Sequence, residues 1–131
     1  MWLQSSPRDG VVVGPIEVLV IAGSGERVCA TCANGRTWEE VTGSLHRQLR
    51  RSFGEAVTCR FVDLADAARE GLDHLKLSAY PGRLRTPVVV IDGRVAFRGL
   101  FSPTFIRREV RVRLEERESR ARRRAVGRSF R

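Results

Sequence analysis

Ile16-Glu17-Val18-Leu19-Val20-Ile21-Ala22, then Gly23-Ser24-Gly25-Glu26-Arg27-Val28, then Cys29-Ala30-Thr31-Cys32: the fold turns on this stretch. The first seven residues are short, rich in β-branched side chains and apolar nearly throughout, the pattern of a strand covered on both faces. Gly23-Ser24-Gly25 breaks the run, so the two thiols fall on a loop at the strand's C-terminal edge. Two cysteines three positions apart can close a small disulfide ring and reopen it. A strand that leads into such a pair marks the entry to a thiol-disulfide redox site.

The chain downstream gives the pair its setting. Asn34-Gly35 is a turn signal, and Thr37-Trp38-Glu39-Glu40 reads as a capping box, with Thr37 as N-cap and Glu40 reaching back to its amide. Trp38, Val41, Leu45 and Leu49 recur at helical spacing, predicting a helix from about Thr37 to Ser52. Val57, Cys59 and Phe61 alternate with Thr58 and Arg60 in a second strand ending near Asp63. Ala68, Leu72 and Leu75 define the core face of a second helix. Thr86-Pro87 opens the apolar run Val88-Val89-Val90-Ile91, and Asp92-Gly93 then Val95-Ala96-Phe97 signal two antiparallel strands joined by a type I′ turn. Ser102-Pro103 caps a final helix whose apolar positions Ile106, Val110 and Leu114 share a face. After Leu114 the pattern stops, and Glu116/Arg120 and Glu118/Arg122 are spaced to pair along a wet surface. Continued to Arg124, that helix would be about 34 Å long, with last turns that project or fray.

At 131 residues with 42% hydrophobic residues, the chain is sized for one globular domain with its own core. Residues 1–15 lack periodicity and read as a flexible lead, residues 16–114 as the domain, and residues 115–131 as an Arg-rich helical extension or tail. Three cysteines do not make a disulfide scaffold, and the odd number leaves one thiol free even if Cys29 and Cys32 pair. Met1 to Gly10 has no basic stretch followed by an apolar core, and Gly14, Pro15 and Glu17 interrupt the run from Val11 to Ala22. The chain therefore reads as cytoplasmic and bacterial, with no membrane partner.

The net charge of +9 is concentrated in the tail: residues 107–131 hold 11 arginines and four glutamates, leaving 13 basic and 11 acidic residues in the first 106. Lys76 is the only lysine, so arginine codon bias in a GC-rich genome accounts for much of the arginine content. Arg120 to Arg131 reads first as a solvated or frayed end and second as a phosphate-binding tail. Arginine runs without interleaved aromatics carry little specific recognition.

Taken together the elements run β-α-β-α-β-β-α, an α/β domain with a central mixed sheet flanked by helices, and this order resembles the thioredoxin-like fold over about Ile16 to Leu114. The resemblance rests on the CxxC after the first strand, the Thr-Pro before the third and the Asp-Gly hairpin. More narrowly, Val28-Cys29-Ala30-Thr31-Cys32, the delayed Thr37-Trp38-Glu39-Glu40 helix start and Pro87-Val88-Val89-Val90-Ile91-Asp92-Gly93 resemble the YuzD-type bacterial disulfide oxidoreductases. The resemblance implies that Pro87 is a cis-proline facing the active-site cysteines, with the Thr86 backbone offering hydrogen bonds to a bound substrate segment. It also implies Cys29 as the exposed nucleophile and Cys32 as the resolver. No cofactor beyond the reversible Cys29-Cys32 disulfide is called for, and the partner is a protein or low-molecular-weight thiol or disulfide. The chain departs from thioredoxin in three ways. The helix expected at the cysteines restarts at Thr37, the aromatic and Gly-Pro of the usual motif are absent, and Gly23 stands six before Cys29, where thioredoxins carry a buried acid.

Other readings of the pair remain open. A free thiol titrates at about 8.5, so Cys29 needs backbone amides, a helix N-terminus or a nearby cation to ionise at neutral pH, and Arg27 and Arg36 are the local candidates for that cation. Zinc needs four ligands, and one chain offers the CxxC, a distant Cys59, and His46 and His74 on separate helices. Two chains as a homodimer have enough thiolates to hold zinc or an iron-sulfur cluster across a symmetric interface. A redox-sensing binding module without turnover, or a vestigial pair, completes the set. Cys59 reads as a buried core residue. His46 and His74 read as surface residues, and Trp38, Phe97 and Phe101 as core aromatics that can also form an apolar rim near the thiols.

Overall fold

The computed structural model describes residues 14–28, 35–67, 69–71 and 85–129, with side chains as far as residue 126. Strand β1 (Ile16–Ala22) leads to helix α1 (Trp38–Phe53), strand β2 (Val57–Asp63), strands β3 (Val88–Ile91) and β4 (Arg94–Arg98), and helix α2 (Pro103–Ser129). The four strands form one mixed sheet in the order β2-β1-β3-β4. β1 runs parallel to β2, with Ile16 opposite Val57 and Ala22 opposite Asp63. It runs antiparallel to β3, with Val18 opposite Ile91 and Ile21 opposite Val88. The chain is therefore an α/β protein, with the first pair of strands joined through a helix and the last by a tight turn.

Each junction has a local cause. Thr37 Oγ1 accepts from the Glu40 amide at 3.2 Å while the Glu40 carboxylate accepts from the Thr37 amide at 2.8 Å, the reciprocal box that starts α1. Between β3 and β4, Asp92 and Gly93 both take positive φ, 55° and 82°, which suits the type I′ geometry of a two-residue hairpin. A register shift between Val89 and Val90 marks a bulge in that hairpin. Ser102 Oγ accepts from the Phe105 amide at 3.3 Å at the head of α2.

Alternation along β1 sends side chains to both faces of the sheet. Ile16, Val18 and Val20 pack with Val57, Cys59, Val89 and Ile91, under Leu45 and Leu49 of α1 and Ile106 and Val110 of α2. Both helices thus cover the same face. Leu19 and Ile21 point the other way and cluster with Val62, Ala67, Val88 and Val90, against Leu64 and Val95. Glu17 is the one exposed residue of β1, so the strand is covered on both faces over the rest of its length.

After β2 the chain makes a short 3-10 turn, Leu64–Asp66, with Asp63 accepting from the Ala65 amide. The second helix expected from Ala68, Leu72 and Leu75 falls on residues outside those described, as do most of the expected N-terminal lead and His74. His46 departs from its expected surface place: its ring is half-buried, and Nδ1 has no hydrogen-bond partner among the described residues. The final helix continues past Leu114 to Ser129, about 40 Å at 1.5 Å per residue. No helix among the described residues is long and apolar enough to cross a membrane.

Candidate active site

Cys29 and Cys32 themselves lie outside the described residues, but the residues at both ends of their segment are described. Arg27 and Thr37 form an antiparallel bridge. The Val28 amide donates to the Arg36 carbonyl at 2.8 Å, and the Trp38 amide to the Glu26 carbonyl at 3.0 Å. These bonds close the root of the cysteine segment against the N-terminus of α1. They also fix the start of that helix at Thr37, beyond the cysteines rather than at them. Glu39 and Glu40 lie in the first turn, where the positive end of the α1 dipole favours acidic side chains.

The antiparallel register of β1 with β3 sets Val88 beside Ile21, so Thr86-Pro87 enters the sheet at the edge from which the cysteine segment leaves. The Thr86–Pro87 peptide bond is cis, and Pro87 is buried. Glu26 joins the two segments. Its Oε1 accepts from the Gly23 amide at 3.0 Å, and its Oε2 accepts from the Thr86 hydroxyl at 2.6 Å. Sequence reasoning passed over Glu26. The available signal was that it is the single acid between Glu17 and Glu39, placed in the loop that follows β1.

A third segment completes the edge. The Gly99 amide donates to the Pro87 carbonyl at 2.9 Å. Gly99 has φ of 69°, and a Cβ there would lie 2.7 Å from Arg85 Cβ, so only glycine lets the chain after β4 run this close to the segment before Pro87. Phe101 then stacks on Trp38, with ring centroids 5.3 Å apart and planes tilted by 58°. Trp38 is 7% exposed, while Leu100 and Val28 are about half exposed at the rim, at 50% and 46%. Phe97 packs against the core. Of the expected aromatic rim, Trp38 and Phe101 are adjacent to the loop root and Phe97 serves the interior.

Of the two cations weighed for Cys29, Arg36 is committed to α1, where Nη2 donates to the Ser44 hydroxyl at 2.6 Å and to the Glu40 carbonyl at 3.3 Å. Arg27 is exposed. Cys59 is 8% exposed, and burial pushes its thiol up to about 12, which keeps it protonated and inert at neutral pH. Among the described residues no three histidine, cysteine, aspartate or glutamate side chains gather as a metal site. No family profile, curated protein or solved structure matches the chain.

Proposed function

We propose that the chain is a thiol-disulfide oxidoreductase of thioredoxin-like fold, akin to the YuzD-type enzymes, working through Cys29 and Cys32. The observation that carries this reading is the 2.6 Å bond from Thr86 to Glu26, which fastens the segment before Pro87 to the loop leading into the cysteines. A nucleophile and a substrate-binding strand edge have to be neighbours for disulfide exchange, and a bond from Thr86 to the loop that leads toward Cys29 supports that arrangement. The strand order β2-β1-β3-β4, with both helices on one face, supports the fold.

In this mechanism the Cys29 thiolate attacks one sulfur of a substrate disulfide, forming a mixed disulfide and expelling the other substrate sulfur as a thiolate. Cys32, deprotonated, then attacks the Cys29 sulfur. The Cys29-Cys32 disulfide forms and the second substrate sulfur leaves. Two electrons pass to the substrate, and a low-molecular-weight thiol or a dithiol protein returns them to the pair. Leu100 and Val28 offer apolar surface to an extended substrate segment at the loop's rim. With Thr37 as the N-cap of α1 and Arg36 bonded to that helix, Arg27 is the cation that would favour the Cys29 thiolate.

The test is a thiol titration in glutathione redox buffers on a Cys59→Ser background, with metal content read on the same sample. The expected result is a reversible two-electron transition lost in both Cys29→Ser and Cys32→Ser. Zinc or iron bound at fixed stoichiometry without such a transition overturns the reading in favour of a metal site.

A further inference from the structure

Arg113, Arg117, Arg120 and Arg124 succeed one another along α2 at steps of four, three and four, which places them on one stripe of the helix. The inner part of the stripe holds the body together. Arg113 Nη1 donates to the Ile91 carbonyl at 3.4 Å and its Nε pairs with Glu109 at 3.0 Å. Arg117 spans the Gly14 carbonyl and the Asp92 carboxylate, each at 2.7 Å. Beyond Arg117 the stripe has left the sheet. The helix continues to Ser129, about 18 Å further, and residues 120–126 are all exposed.

Pairing within the helix does not neutralise this extension. Of the two ion pairs that the spacing allows, Glu118–Arg122 forms, at 4.0 Å, and Glu116–Arg120 does not. Arg120, Arg123 and Arg124 lie on one side of the helix, and their side chains make no ion pair or hydrogen bond among the described residues. We propose that this extension binds the phosphate backbone of duplex nucleic acid, without regard to sequence. Planar guanidinium groups match phosphate oxygens bidentately, and a row of them set on a rigid helix meets a row of phosphates with little further ordering. A lipid surface fits less well, because Val126 is the only large apolar residue in 118–126 and an interfacial helix needs an apolar face. An acidic protein surface fits less well too, since residues 118–126 offer no aromatic anchor for a protein interface. The extension leaves the body by the Asp92 turn, at the opposite end of the sheet from the cysteine segment, so it does not depend on the thiol chemistry.

The experiment is fluorescence anisotropy of a labelled 20-base-pair duplex of arbitrary sequence (~20 bp, two turns of phosphates) with the full chain across a salt series. The same series is run on Arg120→Gln/Arg123→Gln/Arg124→Gln, with circular dichroism as the fold control. The full chain should bind the duplex, and the triple variant should bind about tenfold or more weakly, with a log-log salt slope reduced by about 2 to 3. If the triple variant loses helicity, Arg123→Glu repeats the comparison with one side chain changed. The proposal is overturned by absent duplex binding at low salt or by an unchanged slope in the variant. Tighter binding to phosphatidylserine vesicles or to polyglutamate than to the duplex overturns it as well.

Discussion

Glu26 takes two donors with one carboxylate, a backbone amide from its own turn and a hydroxyl from sixty residues away in sequence. Removing the second donor leaves the acid half-buried with an unanswered oxygen. Thr86→Val should therefore cost about 1 to 3 kcal/mol in urea denaturation, and on the proposed chemistry it should slow disulfide exchange while leaving the stoichiometry of Cys29-Cys32 oxidation unchanged. Cys59 makes the opposite case. Its Sγ lies 4.0 Å from the Thr42 carbonyl inside the core, and its thiol is held up to about 12 by burial. A short iodoacetamide pulse at pH near 8, close to the titration of an ordinary thiol, should leave Cys59 unmodified in the native reduced protein and label it once the protein unfolds.

At the start of α1 the reciprocal Thr37–Glu40 box holds the Glu40 carboxyl below its ordinary value, chiefly through the Thr37 amide and then its hydroxyl. A carboxyl lowered on folding adds stability above its unfolded value and loses it as pH falls through the folded one. Thr37→Ala should cost about 1 kcal/mol near neutral pH, and the difference from wild type should narrow as the solution is acidified through the carboxylate range. Helix α2 depends instead on burial: Ile106 is 0% exposed between the sheet and the start of the helix. Ile106→Ala should cost about 2 to 5 kcal/mol by thermal or denaturant unfolding. Periodicity in the sequence exposed both helices at these points, because capping residues and apolar spacing are local signals. Arg117 was less legible. It sits where the apolar pattern has ended and reads as one more wet arginine, yet its side chain is 18% exposed and bonded to two segments distant in sequence. Local patterning cannot reveal a polar side chain that is buried by long-range contacts. Glu26 escaped notice for the same reason, whereas the Asp92-Gly93 turn and the apolar strands were plain.

On the scale of the whole molecule, the sheet has two working ends. At one, the loop root, Thr86-Pro87 and Gly99 converge. At the other, Arg117 joins the entry to β1, the hairpin turn and α2. Because the Arg117–Asp92 pair is mostly shielded from solvent, removing the charge strands its partner. Arg117→Gln should lower stability by about 1 to 3 kcal/mol, and added salt should mimic little of that loss.

The same junction bears on how the protein is made. Ile16, Val18 and Val20 are covered by α1 and by the far later α2, and the guanidinium that secures Gly14 belongs to that second helix. β1 gains its parallel neighbour only with β2 and its antiparallel neighbour only with β3. As the chain grows on the ribosome, β1 can gain α1 and β2 early, but its antiparallel edge and the α2 side of its core face must wait until β3 and α2 have been translated. Contacts of such separation slow folding, and part of the nascent core stays open to aggregation and to chaperone capture until synthesis is nearly complete.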